Sequence, residues 1–144
     1  MFFADNWNQE KSEHTQTGSP LLLMISSSAV RSLEMAREAK LALGNDCVIA
    51  KLFAKHMKLD KQQEYMSKHI CHIATGTPER LLQLIQKFNY LSTSLKLVIL
   101  DWQRKDAKQR TIIEISENKK PMSILLRDYI IPFVLSCQAK LFLL

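Results

Sequence analysis

PLLLMIS, residues 20–26, is the stretch that most narrows what this chain can fold into. A strand with one face in the core alternates apolar and polar residues. An unbroken apolar run instead marks a strand buried on both faces, as in a parallel sheet covered by helices on each side. The next segment, SSSAVRSLEMAREAKLALG, predicts a helix, with serines available to cap its start and Gly44 placed to end it in a left-handed conformation. The alternation then repeats. DCVIAKLF predicts a second strand, DKQQEYMSKH a weakly amphipathic helix opened by Asp60, and ICHIAT a third strand. TPERLLQLIQKF sets Leu81, Leu84, Ile85 and Phe88 on one helical face, and LKLVILD predicts a fourth strand. After the polar WQRKDAKQR, a segment with Pro121 near its start carries Ile124, Leu125, Ile131, Val134 and Leu135 in helical register. Pro132 is expected to kink or shorten that helix, and KLFLL closes the sequence as a fifth strand. The fold class is therefore α/β, a mostly parallel sheet with helices on both faces, built from residues 20–144. Residues 1–19 are polar and end in the break Gly18, Ser19, Pro20, and they read as a leader or tether.

Composition removes several function classes. Lys and Arg number 20 against 14 Asp and Glu, a net charge of +6. That balance suits an anionic partner such as RNA, although charges dispersed in this way also serve solubility alone. Cys47, Cys71 and Cys137 are odd in number and far apart, the pattern of a reduced, intracellular protein. The start, MFFADNWNQEKSEH, turns polar too early for a signal peptide. No apolar run approaches the roughly 20 residues of a membrane span, so no membrane partner is expected.

In open parallel sheets ligands bind beyond the carboxyl ends of the strands. Here those turns are SSSAVR, AKH, TGTPER and DWQR. Thr77 is a good helix cap and Pro78 suits the first helical position. Gly76 would let the backbone approach a ligand, free N–H groups beyond it would hold a phosphate at the positive helix end, and Arg80 would add a forked contact. The plain alternative is that Thr-Pro only starts a helix. Asp101 ends a buried strand, where an acid either holds a metal or caps the next turn. His69, Cys71 and His72, with His56 more remote, suggest zinc by proximity. A strand points His72 away from Cys71, however, and no second close pair completes a tetrahedron, so no metal is expected. Nothing beside Cys71 marks it as an activated nucleophile. The three glycines, Gly18, Gly44 and Gly76, are none of them followed by Lys. The GxxxxGK loop ending in Ser or Thr, which wraps nucleotide phosphates, is thus absent, and neither a cofactor nor nucleotide hydrolysis is expected.

Taken in order, LLLMISSSAVRSLEMAREAK, KLFAKH, IATGTPERLLQLI and LKLVILDW resemble the first RecA-like domain of the DEAD-box RNA helicases, over residues 20 to 102. TPER resembles the helicase TPGR motif, whose Thr and Arg lie against RNA backbone; the counterparts are Thr77 and Arg80. SSSAVR stands where helicases carry PTREL, also an RNA-backbone contact, which implies roles for Ser27, Ser28 and Arg31. LVILDW stands where VLDEAD is found. Asp101 keeps the first acid, Trp102 replaces the glutamate that activates water, and Arg104 replaces the last acid. With the phosphate loop missing as well, the resemblance implies a P-loop NTPase-like domain without its engine, and no enzyme.

The combination of SSSAVR, KLFAKH, GTPxR and LDW is more similar still to the Cms-one family of ribosomal small-subunit factors. That resemblance implies a nucleolar, nuclear protein associated with pre-ribosomal RNA and pre-ribosomal proteins, as a passive RNA binder or as a protein-interaction scaffold without RNA contact. Glu79 occupies the second Gly position of TPGR and brings negative charge to the helix end, which would weaken a phosphate contact there by about 0.3–1 kcal/mol. The strand that leads into the phosphate loop in helicases has no counterpart in residues 1–19, which predicts an open sheet edge. Phe2, Phe3 and Trp7 are expected to fold back over it.

Overall fold

The computed structural model describes residues 2–136 and 139–144, with side chains described from residue 5 onward. Cys137, and the side chains of Phe2 and Phe3 that were expected to cover an edge, lie outside the described residues. In chain order the elements are α1 (Phe2–Glu13), β1 (Leu22–Ile25), α2 (Ala29–Leu43), β2 (Ile49–Leu52), α3 (Leu59–Lys68), β3 (Ile73–Gly76), α4 (Pro78–Phe88), β4 (Leu97–Leu100), α5 (Ser116–Ile124), a π-helical segment (Leu125–Ile130), α6 (Ile131–Ser136) and β5 (Lys140–Leu143). The five strands form one sheet in the order β2-β3-β1-β4-β5, and every pairing is parallel. The α/β architecture read from the apolar runs is the one observed.

The two faces of the sheet divide the apolar residues by strand alternation. Leu22 and Met24 of β1, Ile73 of β3 and Leu97 of β4 face one side, where they pack with Met35 and Ala39 of α2 and with Trp7 of α1. Leu23 and Ile25, Ala50 and Leu52, Ala74, Val98 and Leu100 face the other. They meet Met66 of α3, Leu81, Leu84 and Ile85 of α4, and Met122, Leu125 and Ile130 of the last helical rod. This two-sided burial explains why PLLLMIS is apolar throughout: all four β1 residues are buried.

Several local expectations are refined by the structure. Within the stretch read as a leader or tether, residues 2–13 form a helix, and Trp7 is 2% exposed, donating its indole N–H to the carbonyl of Leu43 at 3.0 Å. Trp7 therefore covers the α2 face of the sheet and not a strand edge. The physical reason is the apolar patch that β1, β3 and α2 leave uncovered there. Gly44 does end α2 and takes a positive φ, but with φ 113° and ψ 142° it lies outside the left-handed helical region, in backbone territory reserved for glycine. The last helix begins at Ser116, five residues before Pro121, which therefore sits inside α5. Pro132 does not end the helix, which runs on to Ser136. The turn before it widens instead: the N–H of Ile131 reaches the carbonyl of Leu126, five residues back, and this π-type spacing leaves room for a residue that has no N–H and whose ring crowds the preceding turn.

No helix of the described residues is long and apolar enough to cross a membrane.

Candidate functional site

The carboxyl ends of the strands gather the turns after β1, β2, β3 and β4 on one rim. From β1 the chain leaves through α2 toward β2 and onto one face; from β4 it leaves in the opposite direction, through α5 and α6 on the other face. The gap between the ends of β1 and β4 is thus the topological switch point, the crevice where open α/β sheets ordinarily receive a ligand.

That crevice is filled from within. Arg31, in the first turn of α2, reaches Asp101 at the end of β4 with a forked contact: Nε donates to one carboxylate oxygen at 2.9 Å and Nη2 to the other at 3.2 Å. Its Nη1 donates to Glu34 at 3.2 Å and to Glu38 at 3.1 Å. Asp101 is 2% exposed and Arg31 9%. The hydrogen bond to Asp101, with smaller contributions from the attraction of that carboxylate and from Glu34 and Glu38, holds the guanidinium more firmly charged than an ordinary arginine. Ser28 caps α2, accepting the N–H of Arg31 at 3.2 Å, and the Ser27 carbonyl accepts from Asn118 of α5 at 2.8 Å. Of the three residues singled out in SSSAVR, Arg31 is thus neutralised by three carboxylates, Ser28 closes a helix, and Ser27 is tied to α5 through its carbonyl. A cleft of about 310 Å³ remains outside them, bordered by Arg104 and Lys105, with Arg104 3.8 Å from Glu34.

The β2 and β3 ends are differently charged. Thr77 occupies the cap position of α4 in extended conformation, but its side chain makes no capping hydrogen bond, and Pro78 stands at the first helical position. Gly76 is required by packing. A Cβ there would lie 2.6 Å from the carbonyl oxygen of Leu52, 2.9 Å from the Leu52 Cβ and 3.1 Å from Leu81, so the close neighbour of this glycine is β2. Arg80 is 6% exposed. Its Nη1 donates to the carbonyl of Met57 at 2.7 Å and to the Gln62 side-chain oxygen at 2.8 Å, and its Nε is buried with no partner. Burial works against its charge, and Glu79 only partly offsets that. Among the described ion pairs none involves Arg80, in contrast to Arg31. The Met57 contact places the turn after β2 against the start of α4, and this turn carries Lys55 and Lys58, both exposed. Sequence reasoning passed over these two lysines; the signal was KLFAKHMK, which sets three cations around one strand-to-helix turn.

Trp102 is half-buried against the larger core cluster, and its backbone N–H donates to the Leu144 carbonyl at 2.9 Å. With Ile113, Met122 and Leu126 it borders a cleft of about 580 Å³. The residues weighed for zinc are dispersed. Cys71 is buried beside Met66, His69 stacks on Tyr65, His72 accepts the N–H of Val48 at 3.0 Å, and His56 lies near Phe53. Burial pushes the Cys71 thiol up to about 11, far from a reactive thiolate.

The sequence pattern of the family described as CMS1, a U3-containing 90S pre-ribosomal complex subunit, matches residues 3–135. Among curated proteins, the chain is 37% identical over 113 residues to Protein CMSS1 of Danio rerio, covering 78% of this chain and 38% of that protein. It is 37% identical over 120 residues to Protein CMSS1 of Homo sapiens, 83% of this chain and 43% of the relative. It is 31% identical over 128 residues to Protein CMS1 of Chaetomium thermophilum, 86% of this chain and 51% of the relative. The match thus spans about half or less of the length of each of these relatives.

Proposed function

The chain belongs to the CMS1 family, and from that premise we propose that it serves ribosome biogenesis in the nucleolus as a non-catalytic component of a pre-ribosomal complex, holding RNA through its backbone on a RecA-like domain descended from a DEAD-box helicase. The observation that carries the reading is the charge at the start of α4. Arg80 places a buried guanidinium without a carboxylate partner under the first turn of that helix, where the backbone already presents a positive end. Exposed Lys55 and Lys58 flank it, and the Thr77 hydroxyl is free of any cap. Such a patch suits phosphates and reads no bases. Arg31 contributes stability in this reading and leaves phosphate contact to the β2 and β3 ends. Nucleotide chemistry is left out because Arg31 is paired with Asp101 across the switch point and the chain carries no phosphate-wrapping loop.

The test is fluorescence anisotropy of a labelled single-stranded RNA at several salt concentrations, with and without ATP and magnesium. The expected result is salt-dependent binding indifferent to nucleotide. Changing Lys55 and Lys58 together to Glu should weaken it and lower the salt slope by about one for each phosphate that is no longer neutralised. No binding at low salt would sink the reading and favour a scaffold without RNA contact, for which the apolar cleft beside Trp102 is the natural docking surface.

A further inference from the structure

β2 is an edge strand, paired only with β3. In a parallel ladder the residues whose N–H and C=O face a given neighbour alternate. The carbonyls of Val48 and Leu52 accept from β3-side residues, so the N–H and C=O groups of Ile49 and Lys51 face outward. One of these four is already used: the Gln62 side chain, itself held by Arg80, donates to the Lys51 carbonyl at 2.6 Å. The N–H and C=O of Ile49 and the N–H of Lys51 remain as an open rail.

The rail lies between two unlike chambers. On the α2 side is a groove of about 530 Å³ bordered by Leu33, Val48 and Ile49 and by the cations Arg37, Lys40 and Lys51. None of the three cations forms an ion pair among the described residues, whereas the one carboxylate in the groove, Asp46, is neutralised by Lys11 at 2.7 Å. On the α3 side is a smaller chamber of about 230 Å³, lined by Met57, Tyr65 and Met66 together with the polar His56, Gln62 and Lys51. An added strand would send alternate side chains into the two chambers, one set meeting the unpaired Arg37 and Lys40 and the other the Met57, Tyr65 and Met66 surface, with Lys51 at the rim of both.

We propose that the β2 edge is a docking site for an extended protein segment of alternating acidic and apolar residues, which joins the sheet as a sixth strand. The open rail argues for a peptide over a nucleic acid, because its two N–H donors and one C=O acceptor are set at strand spacing, which another strand's backbone matches residue by residue. This edge adjoins the proposed RNA patch at Met57 and Gln62, but the inference rests on Arg37 and Lys40, which lie outside that patch, so the two readings fail separately.

The experiment uses the full chain and a fluorescein-labelled peptide of alternating Glu and Val, about ten residues long so that it spans the edge, followed by anisotropy. Saturable binding is expected. The R37E/K40E double variant, altered only at exposed positions, should weaken it by about tenfold or more, and K51E alone should weaken it in the same direction. Circular dichroism checks that each variant is folded. N-methylation of alternate peptide amides provides the second arm. The set that faces β2 should abolish binding while the other set preserves it, a difference that charge attraction alone does not produce. Absence of binding, equal tolerance of both methylated sets, or indifference to the double variant would each overturn the proposal. So would a labelled single-stranded RNA that displaces the peptide and depends on the same Arg37 and Lys40, since the groove would then be a nucleic-acid site.

Discussion

Two arginines of similar burial do opposite things in this molecule, and substitution should separate them. Among the described residues Arg31 is the sole charged partner of the Asp101 carboxylate, so Arg31→Ala leaves a charge that is 2% exposed without compensation and should cost about 3–5 kcal/mol. Asp101→Asn leaves Arg31 its contacts with Glu34 and Glu38 and should cost less. Urea unfolding of both variants checks the order, and equal losses would contradict it. Gly76 offers a second case at the same scale. Alanine there must push against the Leu52 backbone and should destabilise by about 1–3 kcal/mol through overpacking, again read by urea unfolding. Neither fact was legible locally. The sequence pointed to Arg31, Gly76, Thr77 and Arg80 as positions near a ligand because they follow strand ends. The Arg31–Asp101 pair spans 70 residues and the Gly76–Leu52 contact joins separate strands, so only the folded sheet reveals what each residue faces.

Among the elements, α1 is the one whose removal should tell most. Among its described side chains the apolar anchor is Trp7, which fills the face between β1 and α2 and bonds the end of α2. Trp7→Ala should cost about 3–5 kcal/mol by leaving a cavity. Deleting residues 1–10 should lower the melting temperature for the same reason, and an unchanged melting curve would show that α1 is dispensable. Strands β1 to β4 and helices α2 to α4 were readable because each apolar run or stripe is dictated by burial on the sheet itself. Helix α1 was not, since its aromatic residues cluster at positions 2, 3 and 7 and nothing apolar follows to continue a helical stripe. The start of α5 was missed because SENKKP has no side-chain cap in the structure and places a proline in the helical interior. The π-helical segment was equally hidden: Pro132 announces a difficulty in the backbone without saying how the chain resolves it.

For the whole molecule, pH is the simplest probe of how its parts are joined. His72 ties the two sides of the β2–β3 connection, accepting the Val48 N–H through Nδ1, which requires an unprotonated nitrogen. Burial, with the nearby His14 and Lys11, lowers its pKa below the ordinary 6.5, against an opposing pull from Asp46. The unfolded chain therefore binds the proton first, so this contribution to stability is full above that ordinary value and is lost as the pH falls through the lowered one. Melting temperature should fall as the pH is lowered through that ordinary value and below it, and His72→Gln should flatten that part of the profile. The charge-filled crevice between β1 and β4 has a different kind of consequence. In a motor the corresponding gap is where fuel sets the schedule of grip and release. Here an Arg31–Asp101 pair spans it, so on the reading proposed above the protein carries no clock of its own. How long it stays on an assembling particle is then decided from outside, by salt, by competing polyanions and by whatever strand arrives at its edge.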